Sequence, residues 1–191
     1  MIKRIIRGLK RRLKGQSIAD AEKEWLIEHG LRIGEKVSCF NWAGIDSIYP
    51  GLITLGNEVT IAPGCRILAH DASTCIPCDA TRIGIVEIGD HCFIGADTTI
   101  LPNVRIGEWC IVGAGSVVTT DIPPHSIAVG NPARVISTMD AFIEKHEQNL
   151  RTHYVSLRPW QEWPNATQEE WAQLREACAN TYGYVTTRKD L

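Results

Sequence analysis

A six-residue repeat between positions 88 and 123 constrains the fold of this chain more than any other feature. One aliphatic residue opens each of six consecutive blocks: Ile88, Ile94, Ile100, Ile106, Val112 and Val118. The fifth position of each block is small or β-branched, and the second is glycine in four of the six. This period fits neither a helix nor an alternating strand, so the chain must return to one interior wall every six residues. The repeat predicts a solenoid of short strands, with glycines serving the backbone angles of tight corners.

The segment at positions 111–136, IVGAGSVVTTDIPPHSIAVGNPARVI, resembles the closing coil of the hexapeptide-repeat acyltransferases. The resemblance covers roughly residues 33–136. It implies an all-β class, a left-handed parallel β-helix in which three blocks make one turn, with short N-terminal helices and a C-terminal helical extension. The left hand comes from the resemblance alone, since crossovers between parallel strands are usually right-handed. Non-enzymatic scaffolds and carbonic-anhydrase-like proteins also use such coils and stay open as alternatives.

Composition is that of a soluble globular protein, with 44% hydrophobic and 22% charged residues. Charge is unevenly placed, because residues 1–15 carry seven Lys or Arg and no acid, while the remainder has 13 basic and 22 acidic residues. We expect no nucleic-acid partner for this acidic body. The seven cysteines are an odd number, and three of them fall at inward positions of the repeat, which favours a reducing cytoplasm. No apolar run reaches the roughly 18 residues of a membrane span.

The chain is expected to divide into three parts: a helical arm at 1–32, the β-helix at 33–136 and a helical, aromatic extension at 137–191. Helices are predicted at 2–14, 18–29, 138–151 and 168–179. The six-residue phase is expected to lapse after the block at 33–38 and to return at Leu55. From Ile67 to Ile88 there are 21 residues, three more than one turn, so an excursion from the coil is predicted at 73–87.

His70 is the predicted catalytic residue, with Asp71 beside it. Acyl transfer to a hydroxyl or amine needs a base for the acceptor proton, and imidazole is suited to this near neutral pH. His70 stands at the outward fourth position of its block, next to the excursion. The run ILAHDAS also resembles the block that carries the catalytic histidine in sugar-acetylating members of the family. Asp71 is expected to orient the ring or to contact the acceptor.

The resemblance implies acetyl-coenzyme A as cosubstrate. Small residues leave a narrow wall for its pantetheine arm, and the matching positions here are Ala96, Gly113, Ala114 and Ser116. Thr119 and Thr120 match further coenzyme contacts, although family members often have a basic residue at the second of these. Arg134 matches the basic residue of the closing NPAR segment and is the expected phosphate partner.

The irregular segment FNWAGIDSIYP resembles the acceptor side of polysaccharide-modifying members. Asn41 and Asp46 are expected to bond sugar hydroxyls, and Trp42 or Tyr49 to stack on a pyranose. Turn residues that cap the preceding helix are an equally good reading of this segment. Phe93 takes the place of an aromatic residue that shields the site in related sugar acetyltransferases.

No metal is expected. His70, His91 and His125 are separated by 21 and 34 positions, which does not match the spacing of zinc-binding histidines in the carbonic-anhydrase-like members. Cys75 and Cys78 form a CxxC motif in the excursion, but a closed zinc site needs four ligands. Structural zinc, a disulfide or two ordinary loop cysteines stay open there.

The sequence thus predicts an acetyl-coenzyme A-dependent O-acetyltransferase of a sugar in polysaccharide biosynthesis. A homotrimer with active sites between subunits is expected. The alternatives are N-acetylation of a nucleotide-linked amino sugar and a non-enzymatic scaffold. Residues 2–14 place an apolar stripe opposite seven cations, a pattern of helices that lie on anionic membranes or pack on the trimer. The expected location is cytoplasmic, with peripheral membrane contact through residues 2–14.

Overall fold

A computed structural model describes residues 17–187, and these fall into two compact units that meet at Met139 and Asp140. The coil of the first unit is built from short strands in three sheets, all parallel except for one terminal strand, and a separate two-stranded antiparallel sheet lies in the excursion. The first sheet contains β1 (Arg32–Ile33), β3 (Ile53–Leu55), β8 (Val86–Ile88) and β11 (Val104–Ile106). The second contains β2 (Ser38–Cys39), β4 (Thr60–Ile61), β9 (Phe93–Ile94), β12 (Ile111–Val112) and β14 (Ser126–Gly130), closed by the antiparallel β15 (Ala133–Thr138).

The third sheet contains β5 (Arg66–Ile67), β10 (Thr99–Ile100) and β13 (Val117–Val118). Successive strands along the chain belong to successive sheets, so the backbone coils and places each block on the block one turn earlier. Phe93 pairs with Ile111 and Thr99 with Val117, eighteen positions apart in each case. The predicted three-block turn is therefore confirmed.

The interior of this coil is filled by the residues that open the blocks. The six residues from Ile88 to Val118 that define the repeat are at most 2% exposed, and so are Cys65, Cys92 and Cys110 at the fifth positions. The predicted inward face is confirmed. Each fully buried aliphatic side chain contributes about 1.5–3 kcal/mol, which makes this column the main source of stability in the first unit.

The early part of the coil keeps the six-residue phase longer than predicted. Cys39 pairs with Ile61, and Ile45 bridges to Ile67, both 22 positions apart. Cys39 and Ile45 thus occupy the first positions of regular blocks, and the four surplus residues follow Ile45. The prediction that the phase lapses before Leu55 was wrong for the residues up to Ile45.

The excursion is also longer than its predicted surplus of three residues. Leu55 pairs with Ile88, 33 positions apart, so 15 residues exceed one eighteen-residue turn. The prediction compared the 21 residues from Ile67 to Ile88 with a full eighteen-residue turn. Ile67 and Ile88 in fact lie on neighbouring sheets, which a single six-residue block connects elsewhere in the coil, so the surplus is larger. The chain leaves the coil through β6 (His70–Asp71), passes a 3₁₀ helix (Ala72–Thr74) and the short helix α2 (Cys75–Cys78), and returns through β7 (Arg82–Ile83).

Left-handed corners occur at the fourth position of the blocks, not at the second-position glycines. His91, Asp97 and Asn103 have φ of 56°, 58° and 62°. The second-position glycines instead allow close stacking of coils: a Cβ on Gly95 would lie 2.5 Å from the backbone nitrogen of Ala114. The predicted role of these glycines in corner angles was therefore wrong, because the constraint on them is space.

The residues before the coil form α1 (Ile18–Glu28), as predicted for positions 18–29. Ser17 caps its first turn by accepting from the backbone of Asp20, and Gly30 follows its end with φ of 104°. Two 3₁₀ helices, Trp42–Gly44 and Pro50–Leu52, lie between β2 and β3. The predicted helix at 2–14 lies outside the described residues. No helix in residues 17–187 has the length and apolar character needed to span a membrane.

The second unit is mainly helical and follows β15, which ends at Thr138, beyond the predicted boundary at 136. It contains most of α3 (Met139–Thr152), the strands β16 (Val155–Ser156) and β17 (Tyr184–Val185), a 3₁₀ helix (Trp160–Asn165) and α4 (Gln168–Ala177). A capping box between Thr167 and Glu170 begins α4. Because helices precede and follow the coil, the all-β class applies to the coil alone.

Candidate active site

Asp46 is buried and directly follows Ile45, the residue of the first turn that bridges to Ile67 in the third sheet. Its side chain is only 1% exposed. One carboxylate oxygen, Oδ1, accepts hydrogen bonds from the backbone N–H groups of Ile48 at 2.8 Å and Tyr49 at 3.2 Å. The other, Oδ2, accepts from the backbone of Ala69 at 2.9 Å. The four surplus residues after Ile45 thus form a turn that fixes this carboxylate.

His70 lies one turn further along the coil, and its Nδ1 is hydrogen-bonded to Oδ2 of Asp46. The neighbouring block folds through a left-handed corner at its fourth position, Asn103. The chain instead continues at His70 into β6, which turns the histidine out of the regular corner geometry. A quarter of its side chain stays exposed, and the ring of Tyr49 lies 5.5 Å from it between centroids.

The Asp46 carboxyl is held in its ionised form. Burial raises the pKa of this group, but the hydrogen bonds from His70 and from the backbone of Ile48, Ala69 and Tyr49 outweigh burial and leave the pKa below its ordinary value. An ionised Asp46 accepts a proton-bearing Nδ1, so Nε2 of the neutral ring carries the free lone pair. This arrangement can accept a proton from a hydroxyl or amine placed at Nε2.

A cleft of about 620 Å³ opens beside His70. Leu68, Leu101 and Thr119 form one side, because each follows a strand of the third sheet. Residues of the excursion, including Arg82 and Ile83, form the other side. The structure therefore brings Thr119, a predicted coenzyme contact, into the same cleft as His70.

The carboxylate that is hydrogen-bonded to the His70 ring belongs to Asp46 and not to Asp71. Adjacent residues of a strand point to opposite faces, and Asp71 pairs with Arg82, which lies opposite it on β7. Its carboxylate also accepts from the backbone of Ser73 at 2.8 Å. Arg82 and Ser73 lower the pKa of Asp71 to about 2. The predicted orienting role of Asp71 is thus corrected, although the residue still lines the cleft.

The predicted acceptor residues are only partly brought together. Tyr49 lies at His70, but Asp46 is buried and bonded to Nδ1 of His70, so the predicted contact of Asp46 with a sugar hydroxyl was wrong. Trp42 is 6% exposed and belongs to the core, with the Lys23 ammonium 5.3 Å from its ring, so it has no open face for a sugar. Asn41 is half-buried before the 3₁₀ helix that contains Trp42, and Phe93 is 45% exposed on the second sheet.

The predicted coenzyme residues fall at two ends of the third sheet. Ala96 and Ala114 precede its strands, and the N–H of Gly115 donates to Ala96 across the stacked turns at 2.8 Å. Gly113 is half-buried in the same turn as Ala114. Thr119 and Thr120 are exposed after the last strand of that sheet. The two groups thus lie on opposite sides of the third-sheet strands.

Ser116 and Arg134 differ in their access to a ligand. Ser116 is fully buried, where its hydroxyl donates to the carbonyl of Gly113 at 2.6 Å and accepts from the N–H of Gly130 at 3.1 Å. It stabilises the last coil and cannot touch the coenzyme from this position. Arg134 is exposed on β15, and its guanidinium donates to the neighbouring carbonyl of Ala133 at 2.8 Å.

The excursion cysteines are exposed free thiols, and the Sγ of Cys75 lies 2.8 Å from the Thr81 hydroxyl. Between residues 17 and 187, no group of three or more histidine, cysteine or acidic side chains is placed to hold a metal ion. His91 and His125 lie away from His70 at left-handed corners, where His91 stacks on Trp109 with 4.4 Å between ring centroids.

A second cleft of about 650 Å³ runs along the first sheet. It is lined by Glu87, Arg105 and Asp121, among others, and has neither a histidine nor a cysteine in its wall. Arg105 is already paired with Glu87 at 2.8 Å and with Asp121 through its backbone. Because this cleft has no base suited to neutral pH, the His70 cleft is the better candidate for chemistry.

The Asp46–His70 contact was missed in the sequence because the phase of the first turn was misjudged. The repeat in fact places Ile45 at the start of a block, directly below Ile67. Extending the phase back to Ile45 would have placed Asp46 under the Leu68–His70 segment. The buried aspartate after an in-phase isoleucine was the available signal.

Comparison with known proteins agrees with the hexapeptide coil. Residues 85–120 match the family described as "Bacterial transferase hexapeptide (six repeats)". The chain is 38% identical over 125 residues to a protein of Bacillus subtilis (strain 168) named "Putative acetyltransferase YvoF", covering 64% of this chain and 70% of that protein. It is 41% identical over 105 residues to "Protein CapG" of Staphylococcus aureus, covering 52% of this chain and 60% of CapG.

Among solved structures, a hexapeptide-repeat containing acetyltransferase of Vibrio cholerae aligns with a TM-score of 0.50 at 23% identity, over 71% of this chain and 91% of that one. That likeness supports the fold. A coil of hexapeptide blocks with a histidine at its cleft is the form of a hexapeptide-repeat transferase. The chain belongs to the hexapeptide-repeat acetyltransferase family. Membership of this family implies that the β-helix is left-handed.

Proposed function

We propose that this protein transfers an acetyl group from acetyl-coenzyme A to a hydroxyl of a sugar acceptor in polysaccharide biosynthesis. The observation that carries the proposal is the buried Asp46 carboxylate on Nδ1 of His70, a histidine that lines the same cleft as Thr119. Family membership supports acyl transfer from a coenzyme A thioester.

His70 acts as the general base in this proposal. Nε2 takes the proton of the acceptor hydroxyl while the oxygen attacks the thioester carbonyl, forming a C–O bond and a tetrahedral oxyanion. The oxyanion then collapses, the C–S bond breaks, and the coenzyme thiolate leaves with the proton returned by the imidazolium. Asp46 stabilises the imidazolium and keeps the proton-bearing nitrogen turned away from the acceptor. Both substrates are bound together, so no acyl-enzyme is formed.

A homotrimer with sites between subunits completes the proposal. In one chain, Ala96 and Ala114 lie before the third-sheet strands, whereas His70 and Thr119 follow them. In a threefold assembly, the end of one chain that carries Ala96 and Ala114 would lie against the end of the next chain that carries His70 and Thr119. The pantetheine arm would then lie between the Ala96–Ala114 turns of one subunit and His70 of the next, with Arg134 as the phosphate partner.

N-acetylation of a nucleotide-linked amino sugar is the second candidate, because an imidazole base serves an amine as well as a hydroxyl. A non-enzymatic scaffold is the third. Thiol release from acetyl-coenzyme A with a panel of sugars, amino sugars and nucleotide sugars separates the three. Release with neutral sugars supports the proposal, release with amino sugars alone supports the second candidate, and no release with any acceptor supports the scaffold.

Replacing the base tests the mechanism directly. His70→Ala is expected to lower turnover by roughly 10²–10⁴-fold, the usual scale for loss of a general base. His91→Ala, at a left-handed corner away from the cleft, is the matched control and should keep parental turnover. Coenzyme binding measured by calorimetry should be unchanged in both variants. Turnover of His70→Ala within a few-fold of the parent would refute the assignment.

A further inference from the structure

The excursion places an exposed isoleucine beside His70. β6 and β7 pair in antiparallel fashion with Ile83 directly opposite His70. Opposite residues of such a pair share one face, with Cβ atoms about 4.5–5.5 Å apart. Ile83 lines the His70 cleft and is 57% exposed, so it adds little to the hydrophobic core.

The other cross-strand pair holds this two-stranded ribbon in place. Asp71 and Arg82 lie opposite each other and form an ion pair, and the Asp71 carboxylate also caps the turn that follows at Ser73. Because the pairing is fixed from this side, the position of Ile83 relative to His70 is fixed as well. The ribbon therefore holds Ile83 at a defined position in the cleft.

Apolar groups also occupy other parts of the His70 surroundings. The Tyr49 ring packs near His70, and Leu68, Leu101 and Pro102 line the cleft. A pyranose has an apolar C–H face and a polar rim of hydroxyls, so it can pack one face on such a wall while a hydroxyl reaches the base. A small acyclic alcohol has no such face.

We infer that Ile83 determines acceptor specificity by packing on the apolar face of a cyclic sugar, which directs one hydroxyl to Nε2 of His70. The inference rests on the proposed function and names the class of acceptor: a neutral, cyclic polyol. Ile83 takes no part in proton transfer, so its effect falls on acceptor binding and not on the chemical step.

Steady-state kinetics of Ile83→Ala test this inference. Methyl glucosides, methyl galactosides and maltose are the cyclic probes, and glycerol and L-serine are the acyclic ones. The Michaelis constant for each cyclic acceptor that the parent acetylates should rise about tenfold, the low end for loss of apolar contact in a pocket. The Michaelis constants for acetyl-coenzyme A and for acyclic acceptors should stay at parental levels. Ile83→Val should behave nearly as the parent.

Ile76→Ala is the matched control, because Ile76 is 97% exposed in the same excursion and does not line the cleft. An unchanged Michaelis constant for cyclic acceptors in Ile83→Ala overturns the inference and leaves the proposed function intact. So does an equal rise for cyclic and acyclic acceptors, or the same rise in Ile76→Ala. If the parent acetylates no cyclic acceptor, the proposed function fails and the inference fails with it.

Discussion

Asp46 is the residue whose surroundings say most about the site. Its carboxylate receives three backbone N–H groups in addition to His70, so its position is set by the main chain and not by other flexible side chains. A buried carboxylate fixed in this way holds the imidazole in one tautomer and one orientation. Geometry of this kind makes Asp46 a positioning residue for His70.

Asp46→Asn tests that role. The amide keeps the size of the side chain but presents an uncharged group to Nδ1, which favours the wrong tautomer and removes the charge that stabilises the imidazolium. We expect turnover to fall by about 10²–10⁴-fold with an unchanged Michaelis constant for acetyl-coenzyme A. The pH profile of turnover should also change, because Asp46 no longer places a negative charge beside Nδ1 of His70.

Asp71→Asn is the control for Asp46→Asn, since Asp71 pairs with Arg82 and not with the base. Its effect on turnover should be far smaller, and its pH profile should match the parent. Equal losses in the two variants would show that both carboxylates act through the shape of the loop, and the positioning role of Asp46 would be lost.

The lowered pKa of Asp46 also predicts a dependence of stability on acid. The folded-state pKa lies below the unfolded value of about 3.9. The stabilising contribution is therefore complete above about pH 4 and is lost as the pH falls through the folded-state pKa. Thermal melts from pH 6 to pH 2 should show a Tm gap between parent and Asp46→Asn that narrows below about pH 4. A constant gap would contradict this.

At the scale of elements, the glycines of the repeat act by letting neighbouring coils approach. Gly95 and Gly113 occupy the same position in successive turns, which makes them a matched pair. A Cβ on Gly95 would meet the backbone nitrogen of Ala114 at 2.5 Å, whereas one on Gly113 would meet a methyl group of Val129 at 2.7 Å. A side chain can move away from such a contact more easily than a stacked backbone.

Gly95→Ala is therefore expected to destabilise the first unit by about 1–3 kcal/mol, the usual cost of overpacking. Gly113→Ala should cost clearly less, because Val129 can change its rotamer. Urea unfolding of the two variants, followed by circular dichroism, measures the difference. Equal destabilisation by the two variants would show that backbone entropy, and not the distance between stacked coils, sets the cost of an alanine at this position.

At the scale of the whole molecule, the proposed function requires both groups of predicted ligand-binding residues, which lie at different ends of the third sheet. His70→Ala removes the base, and Ala114→Trp fills the exposed turn proposed to hold pantetheine. Each variant alone should be inactive. Co-refolded in equal amounts, they should regain roughly a quarter of parental activity, since one site in four then joins an intact base to an intact turn.

Light scattering of the parent supplies the size of the assembly, and a trimer is expected. Co-refolded trimers that stay inactive would place each active site within one chain. A stable, active monomer would remove the shared-site proposal altogether. The membrane contact proposed for residues 2–14 stays a prediction, which vesicle sedimentation with and without these residues tests.

The sequence by itself determined the coil. A period of six with one aliphatic residue per block can bury its side chains in one way only, by returning to a common interior, so the inward rows of Ile88 to Val118 and of Cys65, Cys92 and Cys110 were predictable. The helices at 18–28, 139–152 and 168–177 were predictable as well, because their caps and apolar spacing are local signals.

Only the tertiary structure decided which side chains meet. The partner of His70 is Asp46, 24 positions away, and not the adjacent Asp71, because neighbouring strand residues point to opposite faces while stacked coils bring distant residues together. The same stacking buries Trp42 and Ser116, which sequence had assigned to ligands. Local patterns record which way a residue faces along its own element, but the contacts of a site depend on register between turns, which the insertions of four and 15 residues change.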